Sequence, residues 1–394
     1  MEYVKKNIPL WSITIWDKKF NNVEKEWQPE VRKYKYLLAD ELDSIKVENG
    51  DIRILYTGKD TGFTTEELAG DAIAEGEVVT IPWGGVPTVK YHKGKFVTGD
   101  NRIATSSDTS LLTNEYLYYF MKGNIKIIAS FYRGVSLKHP SMRDVLKMSI
   151  SFPSVEEQDR VVQQFDCLEK LIEYRQQELE KMDELIKARF VEMFGDPENN
   201  TLHWTEQPLS DHLDVVGGYA FKSDNFVEDG IPVLRIGNIN AGFFKPVNLV
   251  FWDDDEALSR YKMYPGDLVM SLTGTVGKDD YGNVCILGND FAEYYLNQRN
   301  AKLELKESIN KYYLSTLLKF EPIKKKLTGI SRGVRQANIS NKDIVNLIVP
   351  IPEISKQNEF EQFVKQLDKS KVEVQKALDE AQLLFDSLMQ EYFG

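Results

Sequence analysis

Residues 155–194 read VEEQDRVVQQFDCLEKLIEYRQQELEKMDELIKARFVEMF. Within them Val161, Phe165, Leu168, Ile172, Leu179, Met182 and Ile186 follow a 4-3 spacing, interrupted at Arg175. That is a heptad seam, which predicts one long amphipathic helix. Residues 354–393 repeat the pattern in the same register through Phe360, Val364, Leu367, Val374, Leu378, Ala381, Phe385, Leu388 and Tyr392, interrupted at Lys371. Pro153 and Pro352 stand just before the two starts, and Gly195 followed by Asp196-Pro197 supplies a glycine stop with a proline beyond it. The second helix is expected to run to Gly394. A helix of this length spans about 60 Å at a rise of about 1.5 Å per residue, the length of a spacer.

The two runs belong to a larger repeat. At an offset of 199 residues, Arg133-Gly134-Val135 matches Arg332-Gly333-Val334, and the register continues without a gap until Phe194-Gly195 meets Phe393-Gly394. Sixteen of these 63 positions are identical, among them Asp144 with Asp343, Pro153 with Pro352, Gln158 with Gln357, Leu168 with Leu367, and Glu192 with Glu391. A single helix of this kind packs most simply on its own domain. Two copies in register point to each other, and in a repeated chain an antiparallel intramolecular pair gives the halves a pseudo-two-fold relation. The apolar surface widens toward each C-terminal end, where Leu185, Phe190, Leu384 and Met389 are candidates for a partner surface.

Between the helices the sequence is mixed. Ile231–Ile239 and Asp267–Leu272 read as strand-rich stretches punctuated by turns, and a helix is expected near Lys311–Phe320. The fold class is therefore α+β: two globular mixed domains at residues 1–152 and 209–351, spacer helices at 153–195 and 352–394, and a polar linker at 196–208.

The chain has 394 residues, 42% hydrophobic and 28% charged, which fits folded domains rather than disorder. Cys167 and Cys285 stand more than a hundred residues apart, so neither a disulfide framework nor a Cys-x-x-Cys metal pair is expected, and a reducing, cytoplasmic location fits. No apolar run reaches the roughly 20 residues a membrane span requires, and Met1–Leu10 lacks a signal-peptide core. Catalytic constellations are missing too: His-Glu-x-x-His and Gly-x-Ser-x-Gly are absent, and the four histidines are scattered. Leu272-Thr273-Gly274-Thr275-Val276-Gly277-Lys278 departs from a phosphate loop in glycine spacing and in Asp279, and reads as a loop between strands. We therefore expect neither a metal nor a catalytic residue in this chain.

The formal net charge of −12 argues at first against a polyanionic partner. Its distribution argues the other way. Residues 155–194 carry −5 and residues 354–393 carry −3, whereas the windows just before them, 122–147 and 321–346, carry +5 and +4. A basic patch recurs at the same place in both copies, next to the Gly, Ser, Asn and Gln residues that also contact phosphates.

These features together resemble the specificity subunits of type I restriction-modification systems. The resemblance rests on Gly217-Gly218-Tyr219-Ala220-Phe221-Lys222-Ser223, on Ile231-Pro232-Val233-Leu234-Arg235-Ile236-Gly237-Asn238-Ile239, and on Gly266-Asp267 before Thr273-Gly274-Thr275. It rests above all on Arg332-Gly333-Val334-Arg335-Gln336-Ala337-Asn338-Ile339-Ser340 with Val349-Pro350-Ile351-Pro352 and Gln357. The first half departs from the pattern: its opening, Pro9–Asp17, lacks a Gly-Gly-Tyr-Ala-Phe motif, and Ser149–Pro153 has one proline where two are expected. The resemblance implies a non-catalytic subunit whose two domains each read half of a split sequence in double-stranded DNA, with the helices as a ruler. It also implies two methyltransferase subunits that flip an adenine and methylate it from S-adenosylmethionine, and ATP-driven motor-nuclease subunits. Both cofactors are expected on the partners, none on this chain. Recognition residues vary by purpose, so the DNA candidates are physical choices. Arg133, Lys138, Arg332 and Arg335 are chosen for phosphates or bases, and Arg235, Asn238, Thr273, Gln336 and Asn338 for groove edges. A protein-interaction scaffold without DNA is the competing reading; it shares the helices but leaves the basic windows unexplained.

Overall fold

The structure, a computed structural model, describes residues 4–58, 61–135, 137–275, 278, 280–329 and 336–394. They form two compact units, Met1–Arg175 with Lys376–Gly394, and Gln176–Gln375.

The first unit is built on a six-stranded sheet in the order Thr14–Trp16, Asn101–Ser106, Ala74–Pro82, Lys90–Thr98, Ile52–Leu55, Gly62–Thr64. Its pairings are antiparallel except that Ile52–Leu55 runs parallel to Lys90–Thr98. Helix Asn114–Gly123 closes one face, burying Tyr116, Leu117, Phe120 and Met121 against Trp16, Val79 and Ile81. The second unit holds an antiparallel sheet of Leu213–Gly217, Asn300–Leu305, Leu268–Ser271 and Val284–Ile286, together with a smaller sheet around Ile231–Leu234 and Tyr294–Leu296. Helix Lys311–Lys319 lies where the sequence predicts one. Two expectations are corrected. Thr273–Thr275 is not a loop but a strand, paired antiparallel with Gln336–Asn338. The end of the linker is also ordered into the domain, since Glu206–Pro208 pairs with Ile348–Pro350.

The heptad runs form helices Val155–Phe194 and Ile354–Phe393. Gly195 takes φ +78°, the left-handed conformation that ends a helix cheaply only when there is no Cβ. In the first unit the start of one helix lies against the end of the other: the Phe165 ring is 5.3 Å from Phe385 and 5.8 Å from Phe393. In the second unit the ends exchange roles, with Phe190 and Phe194 each 5.5 Å from Phe360. The pair is therefore antiparallel in both. The break at Lys371 is filled by an ion pair, its Nζ lying 2.6 Å from Asp183 of the facing helix.

One pair of identical residues explains how each domain is fixed to its helix. Gln158 is fully buried; its Oε1 accepts from the Thr113 amide at 2.9 Å, and its Nε2 donates to the Leu111 carbonyl at 2.7 Å and the Pro153 carbonyl at 3.0 Å. Gln357 is buried to the same degree, accepting from the Asn310 amide at 2.8 Å and donating to the Pro352 carbonyl at 2.7 Å. Thr113 and Asn310 are the N-caps of the two domain helices. The repeat thus preserves a clamp in which one side-chain amide satisfies buried backbone groups of both elements, groups that are costly to leave unpaired.

Candidate nucleic-acid interface

In the second unit the site begins with the ribbon of Thr273–Thr275 and Gln336–Asn338. Its register pairs Thr273 with Asn338 and Gly274 with Ala337. Ala337 is fully buried, so alternation along the strands turns Thr273, Thr275 and Asn338 to the opposite, accessible face. Two residues proposed from sequence alone are thereby brought together. Gly274 has no room for a side chain, because a Cβ would lie 2.2 Å from Asp280 Oδ1. That carboxylate accepts from the Thr275 amide and hydroxyl at 2.7 and 2.9 Å, which stiffens the ribbon and leaves the Asp280 carboxyl below its ordinary pKa, the hydrogen bonds outweighing its desolvation.

Beside the ribbon runs Asn297-Gln298-Arg299-Asn300, attached to it where the Leu272 amide donates to the Arg299 carbonyl at 2.8 Å. The Gln298 amide donates to the Tyr219 carbonyl at 2.9 Å, and the Tyr219 amide to the Leu296 carbonyl at 2.9 Å. The Arg299 amide donates to Asn297 Oδ1 at 3.1 Å, and the buried Asn300 amide group donates to the Leu234 carbonyl at 2.7 Å. Gly218 permits this close approach, since a Cβ there would sit 2.1 Å from the Asn297 carbonyl oxygen. The Gly217-Gly218-Tyr219 motif is therefore a brace for residues 297–300. Asn297, Gln298 and Arg299 face a cleft of about 410 Å³ also lined by Phe221, Arg235 and Asn248. Sequence reasoning missed Gln298 and Arg299, although four successive polar residues after Tyr294-Tyr295-Leu296 mark the place where a buried strand surfaces.

The other candidates divide. Arg235 lines the cleft, with its guanidinium donating to the Asn248 carbonyl. Asn238 is corrected: it is buried, its Oδ1 accepts from the Arg235 amide at 3.0 Å, and its Nδ2 donates to the Lys245 and Val247 carbonyls at 3.0 and 2.9 Å. An amide so committed shapes the cleft wall and has nothing left for a base. Arg332, Arg335 and the side chain of Gln336 lie outside the described residues.

In the first unit Arg133 and Lys138 flank the turn of a small hairpin, Tyr132–Arg133 with His139–Pro140. Gly134 has φ +142°, and a Cβ there would fall 2.3 Å from the Leu137 carbonyl oxygen, so the turn requires glycine. Both cations are exposed. Arg133 pairs with Asp144 at 3.0 Å, a solvent-exposed contact worth under about 1 kcal/mol and readily exchanged for a phosphate.

The partner candidates also divide. Leu185 and Leu384 are about half exposed and available. Phe190 and Met389 are not: Phe190 is 1% exposed among Phe194, Tyr313 and Phe360, and Met389 is packed into the first unit's core. The widened apolar ends are covered in part by the chain's own domains, over Phe190 and Met389 but not over Leu185, Leu383 and Leu384, a division that a helix-only reading could not see. Among the described residues no group of three or more His, Cys, Asp or Glu is placed to hold a metal ion, and no helix is long and apolar enough to cross a membrane.

Residues 30–183 and 202–381 both match the model of the type I restriction modification DNA specificity domain. The chain belongs to this family. A related specificity subunit, that of the type I restriction enzyme MjaVIII of Methanocaldococcus jannaschii, is 24% identical over 330 residues, covering 76% of either chain. The EcoBI specificity subunit of Escherichia coli is 20% identical over 313 residues, covering 71% of this chain and 64% of that one. The crystal structure of a type I restriction-modification S subunit from M. genitalium superposes with a TM-score of 0.59 over 99% of this chain and 96% of that one. At 16% identity the likeness is one of fold. The paired helices and two α+β domains are thus the architecture of this specificity family, and DNA sequence recognition is its business.

Proposed function

We propose that this chain is the sequence-reading subunit of a type I restriction-modification complex, in which each globular domain reads one half of a bipartite DNA site and the long helices set the gap. The carrying observation is the repeated clamp: Gln158 and Gln357 fix each domain to the start of its own helix through equivalent bonds, the construction that a two-part reader held to a ruler requires. In this reading the ribbon face of the second domain and the 132–140 hairpin of the first approach DNA, while Leu185 and Leu384 belong to surfaces that meet methyltransferase subunits. Those subunits bring S-adenosylmethionine, and motor-nuclease subunits bring ATP. The chain acts without chemistry of its own.

Binding to duplex DNA, measured with the chain in complex with its methyltransferase subunit, is expected to weaken steeply between about 50 and 200 mM salt, as phosphate contacts release counterions. A flat salt response or no retention of DNA refutes the proposal. Inserting one heptad into each long helix is expected to lengthen the gap in the methylated motif and leave both half-sites unchanged; altered half-sites would contradict the ruler.

A further inference from the structure

We infer that Gln298 and Arg299 are specificity-determining residues of the second half, with Arg299 reading a guanine in the groove. This rests on the DNA-reading function proposed above and assigns it to atoms. The backbone of residues 297–300 is held by bonds to Leu272 and Tyr219, the Asn300 side chain anchors the segment to the Leu234 carbonyl, and Asn297 spends its own carboxamide oxygen on the Arg299 amide. Neighbouring polar side chains are held in place: the Asn238 carboxamide bonds to the cleft wall, the buried Asn300 donates its amide group to the Leu234 carbonyl, and the Arg235 guanidinium donates to the Asn248 carbonyl. Gln298 and Arg299 are different. Both are exposed, and neither side chain makes a hydrogen bond or ion pair among the described residues. Two exposed, uncommitted polar side chains on a backbone held this firmly are what direct readout needs, because a preorganised scaffold loses little entropy on contact.

Their setting favours a base over a phosphate. Arg299 is joined through Leu272 to the two-stranded ribbon, an element the major groove admits, whose accessible face carries the uncharged Thr273 and Asn338. The exposed lysines near this part of the domain, Lys222 and Lys245, are better placed chemically for the backbone, as mobile point charges. A guanidinium amid amides and hydroxyls matches the two acceptors of guanine, and a carboxamide beside it matches adenine.

The test selects ligands from a randomised duplex pool with the full chain bound to its methyltransferase subunit, comparing the unmodified chain with Arg299→Ala, Arg299→Lys and Gln298→Ala. Because both residues are exposed, unchanged native-state hydrogen exchange in the second unit is expected and is checked first. Arg299→Ala should erase the preference for one G·C pair in one half-site, with a loss of about 5- to 150-fold for the unmodified chain's selected sequence, and leave the other half-site intact. Gln298→Ala should relax a neighbouring position. Arg299→Lys should recover the charge but only part of the discrimination. An unchanged motif in all variants overturns the assignment. So does a uniform affinity loss across sequences with the salt slope reduced by about 1, the signature of a phosphate contact, which would leave the DNA-reading function standing. Failure of the unmodified chain to select any sequence would overturn both.

Discussion

Replacing Gln158 with alanine removes the clamp of the first unit while leaving the helix intact, since alanine is the best helix former. The substitution strands one amide, that of Thr113, and two carbonyls, those of Leu111 and Pro153, around a side chain that is itself fully buried; the Pro153 bond is buried and the other two are half-buried. Each neutral hydrogen bond contributes about 1 kcal/mol net, and each buried group left unpaired costs about 1–3 kcal/mol, so a loss of about 3–5 kcal/mol is expected. A chain of two units does not unfold in one step, so a global melting curve is a poor readout. Native-state hydrogen exchange resolves the units. Amides of helix Asn114–Gly123 should exchange about 100-fold faster or more, with those of helix Lys311–Lys319 unchanged. Gln357→Ala should do the reverse. Gln163→Ala is the control, because Gln163 is also identical in the repeat, in Gln362, yet is exposed. If Gln158→Ala behaves like Gln163→Ala, or loosens both units equally, the clamp is not what fixes each domain to its helix.

The division of the apolar helix ends gives a second contrast: Leu185→Glu with Leu384→Glu should abolish co-purification with the methyltransferase while barely changing stability, whereas Phe190→Ala should cost the second unit about 3–5 kcal/mol in urea unfolding. An intact complex with the paired glutamates would remove that surface from the partner interface. His212 supplies a pH dependence. Its Nε2 lies 2.7 Å from Gln207 Oε1, an acceptor only, so Nε2 carries the proton and Nδ1 accepts from the Ser308 hydroxyl, also at 2.7 Å. Burial holds this imidazole below its ordinary pKa of 6.5. The folded state thus binds the proton less readily than the unfolded one, so this group's stabilisation is complete above about pH 6.5 and lost as pH falls through the lower folded value. His212→Phe should flatten the decline in second-unit stability between pH 7 and 5, and an equally steep decline in the variant would refute the assignment.

Periodicity alone determined the helices, to the residue at Val155 and Phe194, because a heptad needs only local spacing and a glycine stop acts through its own φ. The repeat likewise pointed to Gln158 and Gln357 as identical positions, but a side-chain amide names neither its partners nor its burial, and only tertiary packing placed backbone amides of Thr113 and Asn310 against them. The widened apolar ends read as a partner surface until the domains were folded back over Phe190 and Met389, since burial is a property of what arrives from elsewhere in the chain. Asn238 and Arg299 exchanged roles for the same reason. An asparagine in a strand-like motif looks like a reader, yet its carboxamide is consumed by three backbone groups, while an arginine in an unremarked turn is left free by a brace 80 residues upstream. Composition and spacing are local and survive in the sequence; which polar groups remain unsatisfied is decided only when every other group has found its partner.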